Sequence, residues 1–257
     1  VAPQTPERML DVLRRRGPDA QHSVLWDSRF ERTQGVACNA LLHARLSIID
    51  PRPQADQPMS NEAGDIWICY NGEVYDWAGP AAELKAQGYS FRNRSDTEFI
   101  LHAYEAWGID CIARLRGMFA FTILDLRRRT AWLVRDRMGL KPLVYACFDG
   151  RLAFGSTVRS VLPFLPDSKR EFSVEGIDAY LAHRYIPAPR TVFASINRLE
   201  NGHYLRFDLD SRRLEKVRYW HPQPRAGNWL ETLDQAVEMR TVADRPLGVF
   251  LSGGIDS

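Results

Sequence analysis

Apolar residues recur along this chain in two spacings, one typical of strands and one typical of helices. Residues 5–16 carry apolar side chains at helical spacing, and Gly17-Pro18 ends that predicted helix. The run 118–124 is apolar on both faces, which predicts a strand covered on both sides. Asp149-Gly150 lies between two more apolar runs and predicts a two-residue hairpin turn.

Shorter patterns predict further strands and helices in this part of the chain. Strands are predicted at about 23–26, 36–42 and 66–70, and helices at about 81–87 and 96–108. Ser95 and Glu98 have the spacing of a capping box at the start of the second of these helices. Two sheets packed on each other and flanked by helices would cover the two-faced strands, so the predicted class is α+β.

The character of the sequence changes after about residue 164, where prolines begin to punctuate the chain. We predict a first domain at residues 1–165, its end and a connecting region at 166–225, and the start of a second domain at 226–257. The second domain would open with a helix from Asn228, a buried strand at 246–251 and a glycine-rich loop. This order is typical of the beginning of an α/β domain.

Charge and cysteine content exclude several classes of protein. The chain has 34 basic and 32 acidic residues, a net charge of +2, which argues against nucleic acid or an anionic membrane as a partner. The four cysteines are scattered, so neither a zinc site nor a redox pair is indicated. No apolar stretch reaches the roughly 18 residues of a membrane span, and we expect a cytoplasmic protein.

The glycine-rich loop is a candidate anion site. Gly253 and Gly254 follow the apolar run, with Ser252 and Ser257 on either side. Backbone N–H groups and hydroxyls can therefore converge on a phosphate. The loop is not a P-loop, because the lysine of that motif does not follow the glycines. A plain surface turn is the alternative interpretation.

Three further groups each allow a structural and a functional interpretation. Asn71-Gly72 is either a type I′ hairpin turn or a pair of hydrogen-bond donors for an oxyanion. Arg45 is either a surface residue or a clamp for a carboxylate. Asp96 lies in the first turn of a predicted helix, where a carboxylate is favourable for structural reasons alone. None of these groups is decisive by itself.

The order of several short motifs is more informative than any single one. They are Arg16-Gly17-Pro18-Asp19, Arg45-Leu46-Ser47-Ile48-Ile49-Asp50, Asn71-Gly72-Glu73-Val74-Tyr75, Ser95-Asp96-Thr97-Glu98, and the segments 117–121, 135–143 and 252–257. In this order the series resembles the glutamine-hydrolysing asparagine synthetases. The resemblance covers nearly the whole chain, from about Glu7 to Ser257.

The resemblance implies a class II glutaminase domain with an N-terminal-nucleophile hydrolase fold, an αββα sandwich whose first strand is missing here, followed by the beginning of an α/β synthetase domain. It implies that Arg45 holds the α-carboxylate of glutamine, that Glu73 and Asp96 hold its α-ammonium, and that Asn71 and Gly72 stabilise the tetrahedral oxyanion. The glutamine-binding residues would be Arg45, Leu46, Ser47, Ile48, Ile49, Asn71, Gly72, Glu73 and Asp96.

The same resemblance implies ATP and Mg²⁺ as cofactors of the second domain. Asp256 would help to place the Mg²⁺ ion. The ATP phosphates would bind at Leu251, Ser252, Gly253, Gly254, Ile255, Asp256 and Ser257.

The chain departs from the family pattern in three places. The family nucleophile is a cysteine at residue 1 of the mature protein, with its own α-amino group as base. Here residue 1 is Val1 and no cysteine precedes Cys38, so we expect the nucleophile upstream of Val1. Arg15 stands where a histidine is usual, and Thr157 stands where a glutamate is usual.

We therefore predict a glutamine-dependent amidotransferase. Glutamine hydrolysis would supply ammonia to a carboxylate, aspartate by default, that ATP activates as an acyl-adenylate. One alternative is a cysteine-less ATP-dependent synthetase or cyclase similar to the β-lactam synthetases, and another is a module that binds glutamine without turnover. We expect small-molecule substrates, a homodimer, and no glutaminase activity from these 257 residues alone. The sequence does not identify the acceptor.

Overall fold

The computed structural model describes residues 5–224 and 226–255. The α-helices in these residues are α1 (Thr5–Leu13), α2 (Ala78–Ala86), α3 (Asp96–Trp107), α4 (Val158–Val161), α5 (Val174–His183) and α6 (Trp229–Glu238). The strands are β1 (Ala20–Trp26), β2 (Asn39–Arg45), β3 (Met59–Ser60), β4 (Ile66–Tyr75), β5 (Arg116–Asp125), β6 (Thr130–Arg135), β7 (Val144–Phe148), β8 (Arg151–Gly155), β9 (Asn197–Arg198), β10 (His203–Asp208) and β11 (Leu214–Arg218).

The largest sheet is antiparallel and has the strand order β11-β10-β6-β5-β4-β3. Its two faces carry different side chains because successive residues of a strand point to opposite sides. Ile68 and Phe121 represent one face, which packs on Leu84 of α2 and Phe99 of α3. The opposite face of the sheet packs on a second layer of strands.

That second layer consists of two separate sheets in the described residues, β1-β2 and β8-β7-β9. Trp26 of β1 meets Trp67 of β4 edge to face, with ring centroids 5.5 Å apart. Tyr145 of β7 packs in the core that contains Leu133 of β6. The far side of β7 is covered by α4, and α1 packs against α4 and β2. The order of layers is therefore helices, sheet, strands, helices, as predicted.

The Asn71-Gly72 pair is not a hairpin turn, so that interpretation is wrong. The strand predicted at 66–70 continues through both residues to Tyr75, and all ten of its residues pair with β5. Local turn preference is overridden here because a full-length partner strand lies alongside. The hairpin predicted at Asp149-Gly150 is confirmed, with φ values of 48° and 66° that suit a type I′ turn.

The capping box at α3 forms only in part. The Ser95 hydroxyl accepts from the Glu98 N–H at 3.4 Å, as expected of an N-cap. The Glu98 carboxylate does not return to the Ser95 N–H, which donates to Asn93 Oδ1 at 2.8 Å. The Glu98 carboxylate accepts instead from the backbone N–H groups of Arg92 and Asn93, at 3.0 and 2.8 Å. Glu98 thereby fixes the turn that leads into α3.

The buried strand predicted at 246–251 is wrong, although the helix predicted before it forms as α6. Val249 and Phe250 are 85% and 105% exposed, and no described strand pairs with this segment. Apolar residues form a buried strand only where a sheet supplies hydrogen-bond partners and a packing face. The described residues supply neither at this place.

Among the described residues, no helix combines the length and the apolar character that crossing a bilayer requires.

Gly117 in β5 allows a test of how closely β4 and β5 approach. A Cβ atom at this position would overlap the carbonyl oxygen of Glu73 and lie 2.9 Å from Val74 Cα. We expect Gly117→Ala to lower the free energy of unfolding by about 1–3 kcal/mol, because the backbone of β4 would have to move away from the added Cβ atom. Urea unfolding measures this change.

Gly79 provides the matched control, since a Cβ atom there has no neighbour within 4 Å and the residue lies in α2. Gly79→Ala is expected to be neutral or stabilising by up to about 1 kcal/mol. Equal stability of the two variants would contradict the close approach of the strands.

Candidate functional site

A cavity of about 790 Å³ is lined by residues of the large sheet, of β1 and β2, and of the β7–β8 hairpin. The predicted glutamine-binding residues that line it are Arg45, Leu46, Ile48, Ile49, Asn71, Gly72, Glu73 and Asp96. Ser47 is the exception. It is buried, and its N–H donates to Asp19 Oδ2 at 2.7 Å. The fold thus gathers predicted residues from three distant stretches of chain into one pocket.

Strand alternation places Asn71 and Glu73 on the same face of β4, the face of Trp67 that packs on the second layer. The Asn71 amide makes no hydrogen bond to any described residue, so its N–H donors are available to a ligand. Gly72 lies between Asn71 and Glu73, and the structure leaves no room for a side chain at this position. A Cβ atom there would overlap the carbonyl oxygen of Met118 and lie 2.7 Å from Phe119 Cα.

Asp96 is the first residue of α3 and is buried. Its Oδ2 atom accepts from the Tyr70 hydroxyl at 2.6 Å and from the Val74 N–H at 2.9 Å. Burial raises the pKa of this carboxyl, and the hydrogen bonds from Tyr70 and Val74 oppose that rise. Burial and the charge of Asp96 raise the pKa of Tyr70 well above its usual value. Tyr70 therefore remains a hydrogen-bond donor to Asp96.

Glu73 is half-buried, and its pKa is raised first by burial and then by the negative charge of Asp96. The positive charges of Lys141 and Arg240 act in the opposite direction. Lys141 lines the same cavity. A cation bound beside the two carboxyl groups would stabilise their ionised forms. This part of the pocket therefore suits an ammonium group.

Arg45 is buried, and all four hydrogens of its terminal nitrogens are used within its own loop. Nη1 donates to Asp56 Oδ1 at 2.7 Å and to the Arg52 carbonyl at 3.2 Å. Nη2 donates to the carbonyl groups of Ile49 and Asp50, at 3.0 and 2.7 Å. Arg45 thus braces the loop of residues 46–56, a role that the sequence did not suggest. For the Nε–H group of Arg45, no acceptor is found among the described residues.

His43 is a pocket residue that the sequence analysis missed. Its Nε2 lies 3.1 Å from the Tyr70 carbonyl, which only accepts, so Nε2 carries the proton. Burial lowers the pKa of His43 to about 4, and the ring is neutral near pH 7. Its Nδ1 atom is buried without a hydrogen-bond partner among the described residues. The available signal was alternation, which places His43 on the same face of β2 as Arg45.

Two of the four cysteines line the cavity, Cys38 and Cys69. Burial raises the pKa of Cys69 to about 12, and its thiol points to the Leu42 carbonyl at 3.8 Å. Cys111 lies in the core between the large sheet and its helices, where burial also raises the thiol pKa to about 12. A thiol with such a pKa is not a nucleophile near neutral pH.

The predicted nucleotide loop is exposed from Leu251 to Ile255. The Gly254 N–H donates to the Ser252 hydroxyl at 3.3 Å. Asp256 and Ser257 lie outside the described residues. No strand is found in the described residues 246–250 that lead into this loop. Within residues 5–224 and 226–255, no cluster of metal-binding side chains is found.

The two unusual residues of the first domain have different surroundings. Arg15 lies in an exposed turn after α1. Thr157 caps α4, because its hydroxyl accepts from the Ser160 N–H at 3.2 Å. Thr157 therefore has a structural reason to be at this position.

Comparison with known proteins gives two family matches along the chain. A model described as a glutamine amidotransferase domain matches residues 2–220. A model described as asparagine synthase matches residues 228–257.

Several curated proteins are similar over nearly the whole chain. Asparagine synthetase [glutamine-hydrolyzing] 3 of Bacillus subtilis is 33% identical over 99% of this chain and 41% of its own length. Putative asparagine synthetase [glutamine-hydrolyzing] 2 of Methanocaldococcus jannaschii is 30% identical, over 97% of this chain and 52% of its own length. Amidase chry2 of Gibberella zeae is 33% identical, over 98% of this chain and 37% of its own length. The chain thus spans about half or less of these relatives.

Solved structures show the same fold at lower identity. Glutamine phosphoribosylpyrophosphate amidotransferase from B. subtilis superposes with a TM-score of 0.62 at 19% identity, over 86% of this chain and 47% of that one. A structure described as the allosteric regulatory enzyme of purine biosynthesis gives a TM-score of 0.61, also at 19% identity. These similarities confirm the predicted α+β fold of the N-terminal-nucleophile hydrolase type.

Tyr70→Phe tests the hydrogen bond that fixes Asp96. The variant keeps the buried ring but leaves Asp96 Oδ2 with the Val74 N–H alone. We expect the free energy of unfolding to fall by about 1.5–3 kcal/mol, as for hydrogen bonds to charged groups. Chemical denaturation provides the measurement.

Tyr180→Phe is the control, since this tyrosine is exposed on α5. Its stability should match that of the wild type. If Tyr70→Phe is equally harmless, the Tyr70 hydroxyl does not hold Asp96.

Proposed function

Because the chain belongs to the glutamine amidotransferase domain family through residues 2–220, we propose that it is the glutamine-hydrolysing part of an asparagine synthetase-like enzyme. The observation that supports this proposal most directly is the single cavity lined by Arg45, Asn71, Glu73 and Asp96. These residues offer one cationic group, amide donors and two carboxylates. Such a set complements a small zwitterion that carries an amide.

The α-ammonium group of glutamine is proposed to bind beside Glu73 and Asp96. Both carboxyls have pKa values raised chiefly by burial, so a bound cation would favour their charged forms. Glutamine would also supply the hydrogen-bond donors that an ionised Glu73 requires. This is the contact that distinguishes an α-amino acid from a simple amide.

The α-carboxylate is proposed to bind at Arg45 and the loop 46–49, as the family resemblance implies. The terminal nitrogens of Arg45 are already used in bracing this loop. Its Nε–H and the loop backbone would therefore meet the carboxylate. On this proposal Arg45 acts partly as ligand and partly as the support that shapes the loop.

As the family resemblance implies, hydrolysis is proposed to use the cysteine at residue 1 of the mature enzyme as the nucleophile. The thiolate would attack the side-chain carbonyl of glutamine, and the Asn71 amide and Gly72 N–H would stabilise the oxyanion. Collapse would release ammonia and leave a glutamyl thioester. Water would then hydrolyse the thioester to glutamate and regenerate the thiol.

The second half of the reaction is proposed for the domain that begins near residue 226, which the asparagine synthase match at residues 228–257 supports. Loop 251–257 would bind ATP phosphates, and Asp256 would contribute to a Mg²⁺ site. Aspartate is the proposed acceptor. The homodimer and the cytoplasmic location stay predictions.

Calorimetric titration of the intact protein tests the ammonium contact. We expect L-glutamine to bind, and glutaramate, which lacks the α-amino group, to bind about 10- to 150-fold more weakly, since a charged hydrogen bond is worth about 1.5–3 kcal/mol. Affinity for glutamine should fall as the pH falls through the raised pKa of Glu73, because the protonated carboxyl no longer attracts a cation.

Glu73→Gln should weaken glutamine binding at neutral pH and reduce its dependence on pH. Glu62→Gln, at an exposed glutamate, is the matched control and should bind as the wild type does. Equal affinities for glutamine and glutaramate would remove the ammonium contact from the proposal.

Asn71→Ala tests the oxyanion site in the intact enzyme. Glutaminase kcat should fall by about 10²–10³ with little change in KM, because an oxyanion donor acts mainly in the transition state. Gln87→Ala, at an exposed amide just after α2, is the control. An intact enzyme that forms AMP from ATP without releasing glutamate from glutamine would favour the cysteine-less synthetase instead.

A further inference from the structure

Residues just after α6 return to the loop that lines the candidate pocket. The Asp50 N–H donates to Asp244 Oδ2 at 2.8 Å. Arg245 Nε donates to the Ser47 carbonyl at 3.2 Å. These two hydrogen bonds join segments that are 194 and 198 residues apart in the chain. We call Asp244 and Arg245 the loop clamp.

Arg240 makes a third contact from the same segment. Its guanidinium carbon lies 4.9 Å from the centre of the Tyr75 ring. Tyr75 follows Glu73 by two residues on β4, and Arg240 is one of the cations that oppose the rise of the Glu73 pKa. The segment therefore reaches both sides of the pocket, the loop 46–50 and the end of β4.

Asp50 links the loop clamp to the rest of the pocket. Its carbonyl accepts from Arg45 Nη2 at 2.7 Å, and its carboxylate accepts from the Arg94 N–H at 2.8 Å. Arg52 donates to both oxygens of that carboxylate, which holds the pKa of Asp50 well below its usual range. Asp50 also has a φ of 45°, a left-handed conformation that is uncommon outside glycine. Asp50 therefore connects Asp244 to Arg45 and, through Arg94, to the residues just before α3.

We propose that Asp244 and Arg245 are positioning residues for the amino-acid pocket. They hold the loop of residues 46–50, and through the Asp50 carbonyl they hold Arg45, in the arrangement that lines the cavity. The identity of the ligand, glutamine, rests on the proposed function.

The clamp itself is tested first by hydrogen–deuterium exchange, which needs no ligand. In the intact protein, Asp244→Ala should accelerate exchange of the Asp50 amide at least tenfold, because that amide loses its acceptor. Asp244→Asn retains an acceptor oxygen and should exchange as the wild type does. Asp234→Ala, at an exposed position on α6, is the control. Unchanged exchange at Asp50 in Asp244→Ala would refute the clamp whatever the protein binds.

The positioning role is tested by the glutaminase kinetics of the intact enzyme. The double variant Asp244→Ala/Arg245→Ala should raise the KM for glutamine at least tenfold and keep kcat within about twofold. Asp244→Asn, which retains an acceptor oxygen, and the control Asp234→Ala should keep the wild-type KM.

Two results would be decisive in distinguishable ways. A KM changed less than twofold in the double variant would show that the clamp does not position the pocket. A wild type that neither binds nor hydrolyses glutamine would overturn the proposed function, and the exchange experiment would then decide the clamp alone.

Discussion

The close pairing of β4 with β5 is the constraint on which the pocket depends. Ten consecutive residues of each strand are paired, and the two backbones approach where Gly72 and Gly117 leave no side chain between them. Strict alternation along β4 then sends Asn71 and Glu73 to the cavity side. The other face of the same strand holds α3 in place, and with it Asp96 at the first position of that helix.

Polar groups around the cavity are held by partners before any ligand arrives. Asp96 has its hydroxyl donor in Tyr70, and Arg45 has four acceptors in its own loop. Such prior bonding restricts side-chain rotation, so less conformational entropy is lost on binding. His43 Nδ1 has no such partner among the described residues. It is therefore an acceptor that a ligand in the cavity could use.

Particular residues show how much of the candidate site could be predicted from the sequence. The motif series was enough to select Arg45, Asn71, Gly72, Glu73 and Asp96, and all five line one cavity. Ser47 was selected with them because it lies inside a motif, yet its surroundings are those of a loop residue bonded to Asp19. His43 was missed because it lies outside the motifs, and only its alternation with Arg45 along β2 pointed to the cavity.

Propensity failed where the outcome depended on a partner far away in the chain. Asn71-Gly72 has the composition of a turn, but β5 runs beside it and makes it strand. The apolar run 246–251 has the composition of a strand, but the described residues offer it no neighbouring sheet. Both errors have the same origin, since a strand is defined by what pairs with it rather than by its own residues.

The sequence by itself therefore determined the class of fold, the family, the positions of most helices and strands, and the identity of the polar groups that could bind an amino acid. Only the tertiary structure decided which of those groups share a pocket. It also decided that the terminal nitrogens of Arg45 donate to its own loop, and that Asp244 and Arg245 contact that loop from a distant part of the chain. The physical reason is that periodicity and motifs record short-range preferences. Hydrogen bonds between residues nearly two hundred positions apart depend on the packing of every layer between them.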